Sequence, residues 1–302
     1  MVMMWVLLWG PLVLAAMVGL AIHLSARRVI PRHLGVVGVF CAIAGGVPAL
    51  VIGSLRVAHL MPWGPIGFDL GMRAALPIAL GIGAIALLLI RPSTPRPAAT
   101  ASLAPRTMRT FTSLAWIITL AGLVLAIVAL TWAAGVASVS DHEGYRTMYE
   151  VTVGTAGSAG TTIYGWYYSL PSLLLLAALV APTIFAWWWI PRRAWDGDVD
   201  RDTAFRRLQA SNIGRAACGA LLVHLGVVLS SLAATSELGG VFSSDDLGTV
   251  RVGASFAAIG ALLWWSGEIA RVAGLAMWVV IALTGMPTAE RRASTHHRTL
   301  RP

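Results

Sequence analysis

The chain has 302 residues, 57% of them apolar and 12% charged, about half the charged share of a soluble domain. Its formal net charge of +9 does not make a nucleic-acid interface, because the basic residues flank apolar runs and form no stripe with interleaved aromatics. All 22 basic residues are arginine; without a lysine neither a retinal Schiff base nor a Walker phosphate loop can be built, which excludes a light-driven pump and a P-loop ATPase.

The first apolar run, residues 4–24, precedes Arg27 and Arg28. It lacks the positive leading region of a secretory signal peptide and is longer than the usual apolar core of one, so it is expected to be a first span. Further runs follow at about 34–55, 72–90, 111–134, 169–190, 215–234 and 252–285. Each meets the roughly 20 mainly apolar residues that a spanning helix needs. Hydrocarbon offers backbone groups no water, so these runs must be helices, and the alternation of a membrane barrel is absent. The expected fold class is all-α, a polytopic transmembrane helical bundle of about seven spans.

Arginine asymmetry sets the expected orientation. The connections 25–33, 91–110, 191–215 and the tail 286–302 carry seventeen arginines, whereas 55–73, 135–168 and 235–251 carry four. The first set is expected in the cytoplasm, with the N-terminus outside and the C-terminus inside a bacterial cytoplasmic membrane; the absence of lysine suggests a high-G+C genome. The proline-rich segment 91–110 reads as an extended cytoplasmic linker. It separates a three-span part (1–90) from a four-span part (111–285), and 286–302 reads as a disordered basic tail.

The longest outer loop, 135–168, ends in Tyr164, Trp166, Tyr167 and Tyr168. Amphipathic rings favour the headgroup level, so an interfacial anchor is expected, with a lid over an outward cavity as the alternative. Small residues four apart, Gly38, Ala42 and Gly46, and again Gly253, Ala257 and Ala261, mark faces where helices can approach closely.

Polar residues within spans are the candidates for chemistry. Glu268 and Arg271 are three apart and can pair on one helix face. Their run, 252–285, is roughly 50 Å long at helical rise, so two placements are open. A helix starting at Val252 puts the pair near the cytoplasmic interface; embedding 264–284 puts it within the apolar zone, facing the bundle interior. Gly267 and Gly274 would also allow a break. His224 is mid-span, suited to a proton relay or to an interhelical hydrogen bond. A haem would need a second axial histidine at similar depth, and His23 lies too near the cytoplasmic end of its span. Cys41 and Cys218 fall inside apolar runs and read as small hydrophobes.

The segment DGDVDRD (196–202) begins like a calcium loop, with Asp196, Asp198 and Asp200 alternating. Arg201 and Arg207 then stand where the turn glycine and closing glutamate should be. A short surface helix is the better reading, capped by Asp200 or Asp202, with Phe205, Arg206, Arg207 and Leu208 as a candidate docking face for a cytoplasmic partner or anionic lipid. Asp245 and Asp246 read as a solvated loop, and His296 and His297 as part of the tail. With no nucleophile elbow, zinc motif or phosphate loop, no catalytic, metal or cofactor residue is assigned.

GWYYSLP (165–171) opening a span, with the Ala/Leu/Arg-biased texture around it, resembles uncharacterised multi-spanning membrane proteins of high-G+C bacteria. Some of these resemble membrane subunits associated with ABC transporters, which implies a cytoplasmic ATPase as partner. Three functional readings stand in this order: a transport component; a non-catalytic sensor, assembly factor or scaffold; and a membrane enzyme or haem protein.

Overall fold

Backbone amides that cannot reach water must bond one another, and the apolar runs do so as helices. The computed structural model describes residues 2–26, 35–60, 69–90, 107–152, 157–192, 199–244 and 248–286. The linker residues 91–106, the tail residues 287–302 and Asp196, Asp198, Asp245 and Asp246 lie outside the described residues. The helices are α1 (Val2–Ala26), α2 (Val36–Leu60), α3 (Leu70–Leu89), the single turn α4 (Met108–Phe111), α5 (Leu114–Ala137), α6 (Trp166–Trp189), α7 (Val199–Ser236) and α8 (Gly260–Thr284). Six of them, α2, α3 and α5 to α8, are long and apolar enough to cross a membrane, and α1 contributes a further apolar helix over Trp9–Ser25. Met17, Leu50, Leu125 and Leu174 are each more than 60% exposed on the outer faces. Apolar side chains turned outward in this number suit lipid as the surrounding solvent.

The most enclosed helix is α7. Its apolar window is 72% buried, against 17% for α5 at the periphery. The expected short surface helix and separate span from 215 are corrected here to one continuous helix of 38 residues. Several polar side chains of its first half find partners inside the protein. Gln209 Nε2 donates to the Leu88 carbonyl at 2.9 Å. Asn212 Nδ2 reaches Thr284 Oγ1 at 3.3 Å, and its Oδ1 accepts from Arg215 at 2.8 Å. Neighbouring helices also donate into α7: the Trp187 and Trp278 indoles bond the Ala210 and Ala216 carbonyls at 3.1 and 3.3 Å.

Glycine sets the spacing of α7 and α8. A Cβ at Gly274 would lie 2.6 Å from the Gly219 carbonyl, and one at Gly267 would lie 3.2 Å from the Gly226 carbonyl. These pairs are seven residues apart on each helix, which keeps a common seam. The expected small face in the last span is therefore corrected. Gly253 ends a strand, Ala257 opens a 3₁₀ turn and Ala261 is exposed, while Gly267 and Gly274 make the contact without breaking α8. In α2, Gly38 and Ala42 meet Gly285, but Gly46 faces open space.

One end of the bundle carries β structure that apolar runs could not announce. Strands β1 (Val139–Ser140), β2 (Arg146–Thr152) and β3 (Ser158–Thr162) form an antiparallel sheet in that order. Strands β4 (Gly239–Ser244) and β5 (Gly248–Gly253) form a hairpin. The helix expected from Val252 is thus corrected to one starting at Gly260, since Val252 is paired with Gly240. Tyr149 of β2 reaches the turn that follows β5, its hydroxyl 3.1 Å from Ser255 Oγ. Thr235 Oγ1 of α7 donates to the Thr162 carbonyl of β3 at 2.9 Å, tying the three-stranded sheet to the bundle.

Gly274→Ala is expected to destabilise the protein by about 2 kcal/mol through overpacking. Gly46→Ala should be neutral or gain up to about 1 kcal/mol from helix propensity; thermal unfolding in nanodiscs compares the two. A second expectation concerns the β1–β2 turn. The Thr147 hydroxyl, at 2.6 Å, and the amides of Glu143 and Tyr145 hold the Asp141 carboxyl below its ordinary value. The turn's stabilisation is full above about pH 3.9, the ordinary carboxylate value, and is lost as pH falls through the lowered one. Protection factors of the sheet amides, corrected for intrinsic exchange, should fall on that acid limb, and Asp141→Asn should remove the dependence.

Candidate functional site

A cavity of about 560 Å³ opens among four helices at the end of the bundle that carries the sheets. From α2 it is lined by Ile52, Leu55 and Arg56, and from α3 by Leu70, Arg73, Leu76 and Pro77. Helix α7 contributes Val223, Val227, Ser230, Ser231 and Ala234, and α8 contributes Arg271 and Leu275. Thr161 and Thr162 of β3 complete the lining. Its size falls in the range of small-molecule sites, about 300–1,000 Å³.

The wall between α2 and α8 is an ion cluster. Glu268, 8% exposed, receives Arg56 of α2, with Nη2 2.8 Å from Oε2 and Nη1 3.3 Å from Oε1. Arg271 bonds the same carboxylate through Nη1. Its Nη2 donates to the Gly226 carbonyl at 2.9 Å and to Ser230 Oγ. One carboxylate thus joins α2 and α8, and Arg271 carries the connection to α7. With α8 starting at Gly260, Glu268 and Arg271 lie about 12 and 16 Å along it at helical rise. The helix starts at Gly260 rather than Val252, and Glu268 faces the bundle interior.

His224 is not among the described residues lining this cavity, although Val223 and Val227 on the same helix are. Its ring is fully buried, and Nδ1 lies 2.7 Å from the Ala74 carbonyl of α3. A carbonyl only accepts, so Nδ1 carries the proton in this contact. Position 77 is proline, so the Arg73 carbonyl lacks its usual helical donor one residue before the carbonyl that His224 meets. The structure therefore unites Glu268 with Arg271 and sets His224 to fastening α7 to α3.

The aromatic cluster does not form the roof. Tyr164 is buried edge-on to His224, ring centres 6.2 Å apart, and burial pushes its hydroxyl up to about 12. Trp166 packs edge-on to Trp132, and Tyr167 lies half exposed beside Tyr145. The threonines of β3 occupy the place a lid would take. In the arginine asymmetry Arg56 and Arg73 stand as charges of the connection 55–73. Their signal was position: each lies within a turn of a helix end, inside the helix rather than in the loop.

At the opposite end, the candidate docking residues lie within α7. Arg206 is fully buried, its Nη2 2.7 Å from Asp202 and its Nη1 2.6 Å from the Pro191 carbonyl. It caps the carbonyls that end the turn after α6, and its guanidinium lies 5.3 Å from the centre of the Phe111 ring. Phe205 and Leu208 are half buried, and Arg207 is exposed. Arg206 is thus committed to the fold, which leaves Arg207 as the exposed charge of that group.

No protein-family model, no curated protein and no solved structure matches the chain. Arg206→Ala, which removes the buried ion pair with Asp202 and the bond to the Pro191 carbonyl, is expected to lower stability by about 3 kcal/mol. Arg207→Ala should change it by less than about 0.5 kcal/mol; denaturant unfolding in detergent measures both.

Proposed function

We propose that the chain is a seven-span protein of the bacterial cytoplasmic membrane, N-terminus outside, that works as a transport component. It is either a small permease or the membrane subunit of an assembly whose ATPase is a separate cytoplasmic chain. Arginine asymmetry supports the orientation, and the apolar helix within α1 supports the added span. In that orientation the cavity opens toward the outer half of the membrane, and the α7 N-terminus faces the cytoplasm. The observation that carries the reading is a ligand-sized cavity reaching a buried ion cluster within a bundle of apolar helices. Charged groups at such depth are characteristic of substrate pathways. Proline within α2, α3 and α6 adds to this, because proline frees backbone groups inside a bundle.

The test is uptake by proteoliposomes offered labelled amino acids, sugars, organic acids and inorganic phosphate. Saturable uptake of at least one solute is expected, reduced about tenfold or more in Glu268→Gln at equal insertion, the equivalent of one lost charged contact. Uptake by the Glu268→Gln protein equal to that of the parent would remove Glu268 from the pathway. Uptake no greater than in empty vesicles, with and without a co-purifying ATPase, would refute transport and favour a sensor or scaffold.

A further inference from the structure

Three guanidinium groups from three helices, Arg56, Arg73 and Arg271, line one cavity together with the hydroxyls of Ser230 and Ser231. A guanidinium donates hydrogen bonds and cannot accept them. Among the described lining residues there is no carboxylate; Glu268 lies behind the wall, against Arg56 and Arg271. The polar side of the cavity is therefore rich in donors and positive, while Leu55, Leu76, Val227 and Leu275 give it an apolar side. We infer that the cavity binds an oxyanion, a carboxylate or phosphate group, carried on an apolar body. This rests on the cavity being the ligand site proposed above, but not on transport.

Three further facts favour an anion. Guanidinium forks match the oxygens of carboxylate and phosphate, and their charge repels a cation. The volume of about 560 Å³ exceeds what a bare inorganic ion fills, so the apolar side has a body to contact. Two of the arginines are already oriented: Glu268 holds Arg56 through both of its oxygens, and the Gly226 carbonyl and Ser230 hold Arg271. Pre-orientation lowers the ordering penalty of binding.

The experiment uses the full chain in phosphatidylcholine nanodiscs, titrated with octyl phosphate and octanoate by calorimetry. Octyl glucoside and octyltrimethylammonium are the neutral and cationic controls. Both anions should bind better than the controls, and less tightly as salt is raised. Arg73→Gln, at an exposed position in the first turn of α3, should weaken binding about tenfold. A second arm incorporates phosphatidylglycerol and reads retained lipid by native mass spectrometry. Enrichment of phosphatidylglycerol that Arg73→Gln abolishes identifies a lipid headgroup as the source; binding of the soluble anions with the same sensitivity identifies a solute. Equal binding of anionic and neutral octyl compounds with no lipid enrichment overturns the inference. So does anion binding or lipid enrichment that Arg73→Gln leaves unchanged in a protein of normal unfolding temperature. Uptake of a neutral or cationic solute without anion binding would overturn the ligand class and leave transport standing; anion binding without uptake would do the reverse.

Discussion

A carboxylate carried into an apolar bundle must bring its partners with it, because an unpaired buried charge is strongly destabilising. Glu268 meets that requirement with Arg56 from α2 and Arg271 from its own helix. The consequences extend beyond the pair. The bond to Arg56 fixes α2 against α8, and the Gly226 and Ser230 contacts of Arg271 fix α8 against α7. Glycine at 219, 226, 267 and 274 lets α7 and α8 come close enough for those contacts to form. The cavity is the space left on the other side of this cluster, so its charged wall and its position share one cause.

The same rule governs the opposite end of α7. Arg206, Gln209 and Asn212 are polar residues on a helix surrounded by protein, and each is bonded to a neighbouring segment. Helix α7 thus serves two ends of the molecule. At one end it gathers the termini of α2, α3, α6 and α8; at the other it supplies Ser230, Ser231 and the Thr235 bond to β3.

Hydropathy made the helices legible, because a run of apolar residues in lipid has a helix as its only open-ended solution. The spacing of Glu268 and Arg271 made their pairing legible too. Arg56 was not recognisable as their partner, since a contact between residues 212 apart leaves no local pattern. The continuity of α7 was hidden for the opposite reason. RRLQASN reads as polar and therefore exposed, whereas Arg206, Gln209 and Asn212 within it bond carbonyls and side chains of neighbouring segments. The strands went unread because connections were treated as spacers, although RTMYEVT carries the β-branched and aromatic bias of a strand. His224 offered its position and no more, since its partner is a backbone carbonyl.

Arg56 and Glu268 join α2 to α8 energetically. A double-mutant cycle of Arg56→Gln, Glu268→Gln and the combined protein, read as unfolding free energy in a lipid bilayer, measures this coupling directly. The arrangement predicts a coupling of about 2 kcal/mol or more, within the range for residues sharing one network. Additive effects within about 0.5 kcal/mol would mean that the two side chains do not meet, and the charged wall of the cavity would have to be abandoned.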